Sequence, residues 1–154
     1  MTRVQVSLLV EAGPEAVWDV LTDPNYIPKL YPDLLNASVD PPGRAAVGQN
    51  RKFEARAGKR LIEIKTRVSE MVPLKKFAVT GRRGSALDTF LETVELEKVK
   101  GGTLVRILFE FKVSEAYFGP GFDLFALNQA AKLNEELFAK NLKELSELQD
   151  PKGR

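Results

Sequence analysis

The alternation of apolar and charged residues between residues 33 and 113 most constrains what this chain can fold into. The clearest example is residues 103–113, where Val105, Ile107 and Phe109 are interleaved with Arg106 and Glu110. A period of two is typical of a β-strand with one buried and one solvated face. Glycine and proline separate the segments, so the pattern predicts strands at residues 33–40, 49–57, 60–71, 75–82, 86–98 and 103–113.

Tight turns connect several of these strands. Gly58-Lys59 separates two of them, residues 81–85 form a hairpin loop, and Gly101-Gly102 favours a second hairpin. Short connections join antiparallel neighbours, so the strands are predicted to form a meander. One face of that sheet is apolar, and an apolar face must pack against another element.

The last segment of the chain is predicted to cover the sheet. Residues 118–121, Phe-Gly-Pro-Gly, interrupt the chain, and residues 122–148 follow a helical period. The apolar face predicted for this helix contains Ala126, Leu127, Ala130, Ala131, Leu133, Leu137, Phe138, Leu142, Leu145 and Leu148.

The first thirty residues add a strand and two short helices. Residues 2–11 are rich in Val and Leu and predict a strand, and Pro14 suits the first turn of a helix that ends at Asp23-Pro24. A second short helix is expected over residues 25–30. The predicted class is therefore α+β: a seven-stranded curved antiparallel sheet around a long C-terminal helix. Residues 1–149 form one domain in this prediction, and residues 150–154 form a frayed tail.

The composition excludes several kinds of chemistry. The 154 residues contain neither cysteine nor histidine, so thiol nucleophiles, disulfides and imidazole bases are absent. We expect no metal and no cofactor. The formal net charge is +2, with basic and acidic residues interleaved, which does not favour nucleic acid as a partner. No apolar run reaches the roughly 20 residues that span a bilayer, and a cytoplasmic location is the default expectation.

Residues 10–24 carry a resemblance to a known family. They run from a strand into a helix that contains Val17-Trp18 and ends at Asp23-Pro24, and a long helix follows residues 118–121. This order resembles the START-like, or SRPBCC, superfamily, which includes birch-pollen-allergen proteins and the polyketide cyclase/dehydrase group. The resemblance implies a helix-grip fold with a cavity between sheet and helix. It does not fix the function, because the superfamily includes carriers, receptors and enzymes.

The inward positions of the sheet and helix are the candidate ligand-binding residues. They are Phe53, Ile62, Ile64, Phe77, Val79, Leu87, Thr89, Leu91, Ile107 and Phe109 from the strands, with Ala130, Leu133, Asn134 and Leu137 from the helix. Plain core packing is the alternative for each apolar member. An apolar cavity would select a small hydrophobic molecule such as a lipid, a quinone or an aromatic polyketide-like compound.

Polar residues at predicted inward positions are few. Asn134 and Asn141 are seven residues apart and lie on one line of the helix, where each either orients a ligand or bonds to the backbone of neighbouring elements. The three phenols, Tyr26, Tyr31 and Tyr117, are possible donors at the rim. Among carboxylates, Glu70 and Glu95 are the nearest to an inward position.

Two basic turns are predicted to form the cavity mouth. Lys59 and Arg60 belong to the first turn, Arg82 and Arg83 to the second, and Phe122 begins the long helix. The resemblance implies that these loops gate the cavity. Their positive charge attracts an anionic head group or an acidic membrane surface, or serves only solubility.

Three functions remain open on this basis. The leading one is binding or transport of a small hydrophobic ligand, because the predicted cavity has no complete catalytic set. A polyketide cyclase/dehydrase-like enzyme is the first alternative, with Tyr, Asn or Arg stabilising an enolate. A membrane or partner recruitment module, similar to the G subunit of carbon monoxide dehydrogenase, is the second. Whether the chain is an enzyme is left open, leaning towards no, and so is its oligomeric state.

Overall fold

A computed structural model describes residues 1–57 and 59–150 of the chain. The strands in chain order are β1 Thr2–Val10, β2 Leu34–Asp40, β3 Asn50–Ala57, β4 Arg60–Val72, β5 Lys76–Gly81, β6 Leu87–Val99 and β7 Gly102–Val113. The helices are α1 Pro14–Thr22, α2 Ile27–Leu30, α3 Glu115–Phe118 and α4 Leu124–Gln149, with a 3-10 turn at Pro24–Tyr26. The predicted turn residue Gly58 and most of the predicted tail, residues 151–154, lie outside the described residues.

The described strands form one seven-stranded antiparallel sheet with the order β1-β7-β6-β5-β4-β3-β2. From β2 to β7 each strand pairs with the next one along the chain, as a meander requires, and β1 closes the other edge against β7. The sheet curves around α4. The α+β class and the helix-grip architecture predicted from the sequence are therefore confirmed.

Local sequence explains where the helices begin. Pro14 occupies the first turn of α1, where its missing N–H removes no helical hydrogen bond. The Asp23 side chain accepts a hydrogen bond of 3.0 Å from the Asn25 N–H and starts the 3-10 turn. Asp123 caps α4 in the same way, accepting from the Ala126 N–H at 3.0 Å.

One strand departs from the predicted alternation. The pairing of β6 with β7 shifts between Leu87 and Thr89, so the strand carries an irregularity that reverses which residues point inward. The prediction that Thr89 and Leu91 share the inward face with Leu87 is therefore wrong. Phe90 pairs with Phe111 and faces inward instead. The short helix α3 was not predicted.

The helix α4 packs unevenly on the sheet. Its C-terminal half (residues 135–149) contains Phe138, Ala139 and Leu142, which are buried in one core with Phe77, Val79 and Ile107 of the sheet. Its N-terminal half (residues 124–134) contains no buried residue. That difference leaves space between the sheet and the beginning of α4.

Candidate functional site

A cavity of about 370 Å³ lies between the sheet and α4. Its walls come from β3, β4, β6 and β7 on one side, from α4 on the other, and from the segment that joins α2 to β2. The volume lies within the range of small-molecule sites, and most of the wall is apolar. The space between the sheet and the N-terminal half of α4 is therefore not filled by side chains.

Many of the predicted ligand-binding residues line this cavity. They are Phe53, Ile62, Ile64, Leu87 and Phe109 from the strands, and Ala130, Asn134 and Leu137 from α4. Phe90, which the shifted register of β6 turns inward, also lines the wall and contacts Phe109 edge-on with 5.0 Å between ring centroids. The sequence prediction omitted Phe90 because it assumed an uninterrupted alternation through β6.

The remaining predicted residues lie elsewhere. Phe77, Val79 and Ile107 belong to the core under the C-terminal half of α4, where helix and sheet are in contact. Leu133 is 56% exposed and lies outside the cavity wall. Thr89 and Leu91 are directed away from the cavity by the irregularity in β6.

The exposed members of the wall mark the opening of the cavity. Pro32 and Asp33 precede β2, Arg56 lies near the end of β3, and Ala126 and Ala130 lie on α4. These five residues and Asn134 are exposed and line the cavity. The opening therefore lies between the segment before β2 and the N-terminal half of α4.

The residues predicted for the mouth are not gathered at this opening. Arg82 and Arg83 line a separate surface groove together with Asp88 and Tyr117. Lys59 is exposed and does not contribute to the cavity wall.

Arg60 and Phe122 are structural neighbours of α3. The Arg60 guanidinium donates hydrogen bonds of 2.9 Å to the backbone carbonyls of Tyr117 and Phe118. Phe122 packs against Phe118 with 5.3 Å between ring centroids. These contacts fix α3 beside β4 and leave the Arg60 guanidinium engaged by protein groups.

Three polar side chains meet at the inner wall of the cavity. The Tyr31 hydroxyl lies 3.0 Å from each carboxylate oxygen of Glu92 and donates to that carboxylate. Glu92 and Glu135 are both 3% exposed and both line the cavity. We call Tyr31, Glu92 and Glu135 the acid cluster.

Aromatic packing holds the acid cluster in place. The Tyr31 ring stacks on Phe138 with 4.9 Å between centroids and lies 5.7 Å from the Phe53 ring. The Arg51 side chain is also buried, and its guanidinium lies 4.9 Å from the Phe53 ring. Such packing fixes the direction in which the Tyr31 hydroxyl points.

The environment of the acid cluster disfavours charge on two of its members. Burial raises the pKa of Glu135 well above its usual value, and the negative charge of Glu92 and a hydrogen bond to Glu92 raise it further. Burial likewise raises the pKa of the Tyr31 hydroxyl, and the charges of Glu92 and Glu135 add to the effect. At neutral pH, Tyr31 is therefore a neutral hydrogen-bond donor, and the site favours the protonated form of Glu135 more than water does.

One oxygen of Glu135 remains without a partner. Glu135 Oε1 is buried and has no hydrogen-bond partner within residues 1–57 and 59–150. A buried carboxyl oxygen without a hydrogen bond is unfavourable by about 1–3 kcal/mol. The Glu135 side chain as a whole lines the cavity and adds a polar group to a wall that is mostly apolar.

The sequence prediction missed both carboxylates of the acid cluster. Glu70 and Glu95 were expected to be the nearest to an inward position, but Glu95 is exposed and Glu70 pairs with Lys76 at 3.0 Å on the surface. Glu92 faces inward because of the irregularity in β6. Glu135 could have been found from its helical spacing, since it lies four residues after Ala131 and seven before Leu142.

The other polar candidates have separate roles. Asn141 donates 3.2 Å to the Leu30 carbonyl, as the backbone-bonding alternative predicted, whereas Asn134 is exposed and lines the cavity. Tyr26 donates to Gln149 at 2.6 Å, and the Tyr117 hydroxyl accepts from the Glu63 N–H at 2.9 Å. Of the three phenols, Tyr31 is the one that reaches the cavity wall.

Two further observations concern metal sites and membrane spans. Within the described residues, no group of three or more carboxylates is arranged to hold a metal ion. No helix in the same part of the chain is long and apolar enough to cross a membrane. The polar side chains of the cavity wall are those of the acid cluster, Asn134, Asp33 and Arg56.

Comparison with known proteins agrees with this geometry. Residues 1–148 match the family described as polyketide cyclase/dehydrase and lipid transport. The chain belongs to this family. No curated protein matches its sequence. Membership connects the chain to binding of small hydrophobic molecules as a class, and no particular ligand or reaction follows from it.

Solved structures with the same fold include proteins of different kinds. The Zhui aromatase/cyclase from Streptomyces sp. R1128 is 13% identical, with a TM-score of 0.76, over 95% of this chain and 94% of that one. A protein from Thermus thermophilus, TTHA0849, is 17% identical with a TM-score of 0.71, over 94% and 97% of the chains. Ara h 8.0201 is 14% identical with a TM-score of 0.69, over 94% and 97%. At these identities the likeness establishes the helix-grip fold alone.

Proposed function

We propose that the protein binds one small, largely apolar molecule in the cavity under the N-terminal half of α4. The main support for this proposal is the cavity, which has a volume of about 370 Å³, is lined mainly by apolar side chains and opens beside α4. Protein interiors are normally packed to a density that leaves few voids larger than a water molecule. A space of this size is unfavourable for stability unless a ligand uses it.

The character of the walls supports an apolar ligand with aromatic or aliphatic surface. Phe53, Phe90 and Phe109 present rings to the space, and Ile62 and Ile64 present branched aliphatic chains. Transfer of apolar surface from water into such a site is favourable by about 25 cal/mol per Å². The acid cluster provides a polar end that fixes the orientation of the bound molecule.

The two alternative functions have less support from the geometry. A cyclase-like reaction requires the acid cluster to exchange a proton with a bound substrate, so it presupposes the binding proposed here. A recruitment surface built on Arg82 and Arg83 would use the separate groove rather than the cavity. Ligand binding is therefore the function that accounts for the cavity, its opening and its polar end together.

A titration with a neutral apolar probe tests this proposal. 2-Methoxynaphthalene is expected to bind the wild-type protein with a one-to-one stoichiometry in isothermal titration calorimetry. Ala131→Phe places a ring in the cavity, because Ala131 lines the wall beside Leu127, and is expected to weaken binding by about 10-fold or more.

The matched control is Ala46→Phe, which adds the same ring at an exposed position outside the cavity wall. This variant is expected to bind the probe like the wild-type protein. Absence of binding to the wild-type protein at about 1 mM probe would contradict the proposal. Equal binding by wild type and Ala131→Phe would place the bound probe elsewhere and would contradict it as well.

A further inference from the structure

A second concave region, separate from the cavity, lies between the β5–β6 hairpin and α3. This groove has a volume of about 450 Å³ and is lined by residues 81–85 and 88 of the hairpin and by residues 114, 116 and 117 at α3. The charged side chains of its wall are Arg82, Arg83 and Asp88, so cations outnumber anions there. We call this region the arginine groove.

Backbone contacts hold the loop of the hairpin against β4. The Arg82 N–H donates to the Lys65 carbonyl at 2.9 Å, and the Ala86 N–H donates to the Glu63 carbonyl at the same distance. The Ser85 hydroxyl accepts from the Lys65 N–H at 3.1 Å. Because the loop is tied to β4 near both of its ends, little backbone freedom remains to be lost when a ligand binds beside it.

The two arginines of the groove have no partner of opposite charge. Arg82 is half-buried and Arg83 is exposed. Over residues 1–57 and 59–150, no carboxylate oxygen lies within 4.0 Å of a nitrogen of either guanidinium, and Asp88 is unpaired as well. Each guanidinium has five N–H donors in a fixed planar arrangement. The groove therefore contains unused donors together with two uncompensated positive charges.

The phenol in the wall adds a neutral donor. Tyr117 is half-buried, and its hydroxyl accepts from the Glu63 N–H at 2.9 Å. Its own proton is not donated to any group in the part of the chain that the structure describes. The Arg60 guanidinium lies 5.3 Å from the centre of the Tyr117 ring and adds positive charge nearby. These neighbours favour a ligand with negatively charged acceptor oxygens.

A phosphate group fits this arrangement better than a carboxylate does. A phosphate monoester has three terminal oxygens and a charge of about −1.5 to −2 at neutral pH, so one such group balances two guanidiniums. The planar N–H fork of arginine also matches the geometry of phosphate oxygens. Asp88 opposes an anion in the groove, but its side chain is exposed, so water and salt weaken the repulsion.

We propose that Arg82 and Arg83 bind the phosphate group of a phosphate monoester in the arginine groove. The monoester is either a small soluble molecule or the head group of a lipid at a membrane surface, since both present the same oxygens. The site does not share residues with the apolar cavity. The inference therefore goes beyond the proposed function and does not depend on it.

An NMR titration of the full chain with glycerol 3-phosphate tests the soluble form. At a slightly alkaline pH, where the monoester is a dianion, we expect saturable shifts of the backbone amides of residues 82–85 with a dissociation constant of about 1 mM or lower. Glycerol is expected to cause no shifts, and acetate is expected to bind at least about 10-fold more weakly. Equal binding of acetate and glycerol 3-phosphate would overturn the preference for phosphate.

Charge substitutions locate the site. The double variant Arg82→Gln/Arg83→Gln is expected to bind glycerol 3-phosphate at least about 10-fold more weakly than wild type. Lys98→Gln/Lys100→Gln is the matched control, because it removes the same charge from two exposed lysines at the β6–β7 hairpin, and it is expected to bind like wild type. Equal losses in the two double variants would show a response to net charge alone and would overturn the inference.

A variant with the opposite effect makes the test independent of lost binding. Asp88→Asn removes the negative charge from the wall of the groove, so it is expected to bind glycerol 3-phosphate about 3-fold more tightly. An unchanged dissociation constant in Asp88→Asn would place the phosphate outside the groove and would count against the site.

Vesicles distinguish the two sources of the phosphate group. Wild-type protein that sediments with phosphatidylcholine vesicles only when they contain phosphatidate, and fails to do so as Arg82→Gln/Arg83→Gln, identifies a lipid head group. Binding of glycerol 3-phosphate without vesicle binding identifies a soluble monoester, and binding of both supports the site for either source. If neither is bound, or if vesicle binding alone occurs and persists in the double variant, the inference is wrong. Titration with 2-methoxynaphthalene remains a separate test of the cavity.

Discussion

The two halves of α4 belong to one continuous helix but have opposite relations to the sheet. In the C-terminal half, Phe138 and Leu142 are 2% and 0% exposed and interlock with the sheet core. In the N-terminal half, Phe125 and Leu133 are 73% and 56% exposed, and the space beneath is a cavity. Glu135 lies at the junction of the two halves.

The difference shows that the two halves of α4 contribute differently: one to the stability of the fold and the other to the proposed ligand site. The C-terminal half, together with α1 and the strands below it, forms a core that holds the helix to the sheet. The N-terminal half contacts the sheet through Leu127 and Ala131, which pack against a small cluster that includes Phe109 and Phe111, and the remaining space beneath it forms the cavity. The acid cluster lies where the packed region ends, so its two carboxylates are buried and also form part of the cavity wall.

The largest predicted difference between the halves is in stability. Leu142→Ala removes a fully buried side chain from the core, and we expect the free energy of unfolding to fall by about 2–5 kcal/mol. Leu133→Ala removes the same atoms from an exposed position and is expected to change it by less than about 0.5 kcal/mol. Urea denaturation of both variants measures the difference. Equal decreases in the free energy of unfolding would contradict the proposed difference between the two halves.

A smaller effect is predicted at the junction, in the pH dependence of stability. The pKa of Glu135 is raised in the folded protein, so above its usual value of 4.5 the folded state binds a proton that the unfolded state has released. The stability contributed by this group is complete below that pH and is lost as pH rises towards the folded-state pKa. The loss is at most about 1.4 kcal/mol per pH unit.

Replacement of the carboxyl group isolates this effect. The free energy of unfolding of Glu135→Gln, minus that of the wild-type protein, is expected to increase as pH rises from about 4.5 to neutrality. Glu136→Gln is the matched control, because Glu136 is the next residue of α4 and its side chain is exposed. A difference that stays constant with pH for Glu135→Gln would contradict a proton held at the junction.

The sequence was informative wherever a regular period continued without interruption. The alternation in β3, β4 and β7 placed Phe53, Ile64 and Phe109 on the inward face, where the structure has them. Glycine and proline located the turns and the start of α4 within a few residues, because these residues restrict backbone geometry locally. Local rules therefore sufficed for the architecture and for the sheet side of the cavity.

The same rules, as applied to this sequence, missed the two carboxylates of the acid cluster. An irregularity in β6 reverses the alternation, and its effect on Glu92 depends on the register with β7 rather than on β6 alone. On α4, exposed leucines such as Leu133 and Leu148 shifted the predicted apolar face away from Glu135. Whether the helix contacts the sheet at a given point depends on the packing of the whole domain. The position of the cavity along α4 therefore could not be predicted from local sequence patterns.

Alanine-methyl NMR tests the contrast between the two halves most directly. Ala126, Ala130 and Ala131 line the cavity, whereas Ala139 is buried in the core of the C-terminal half. On titration with 2-methoxynaphthalene, we expect saturable shifts of the first three methyl signals and a nearly unchanged Ala139 signal. Shifts concentrated at Ala139, or none at the three cavity methyls while the probe binds, would contradict a ligand site under the N-terminal half of α4.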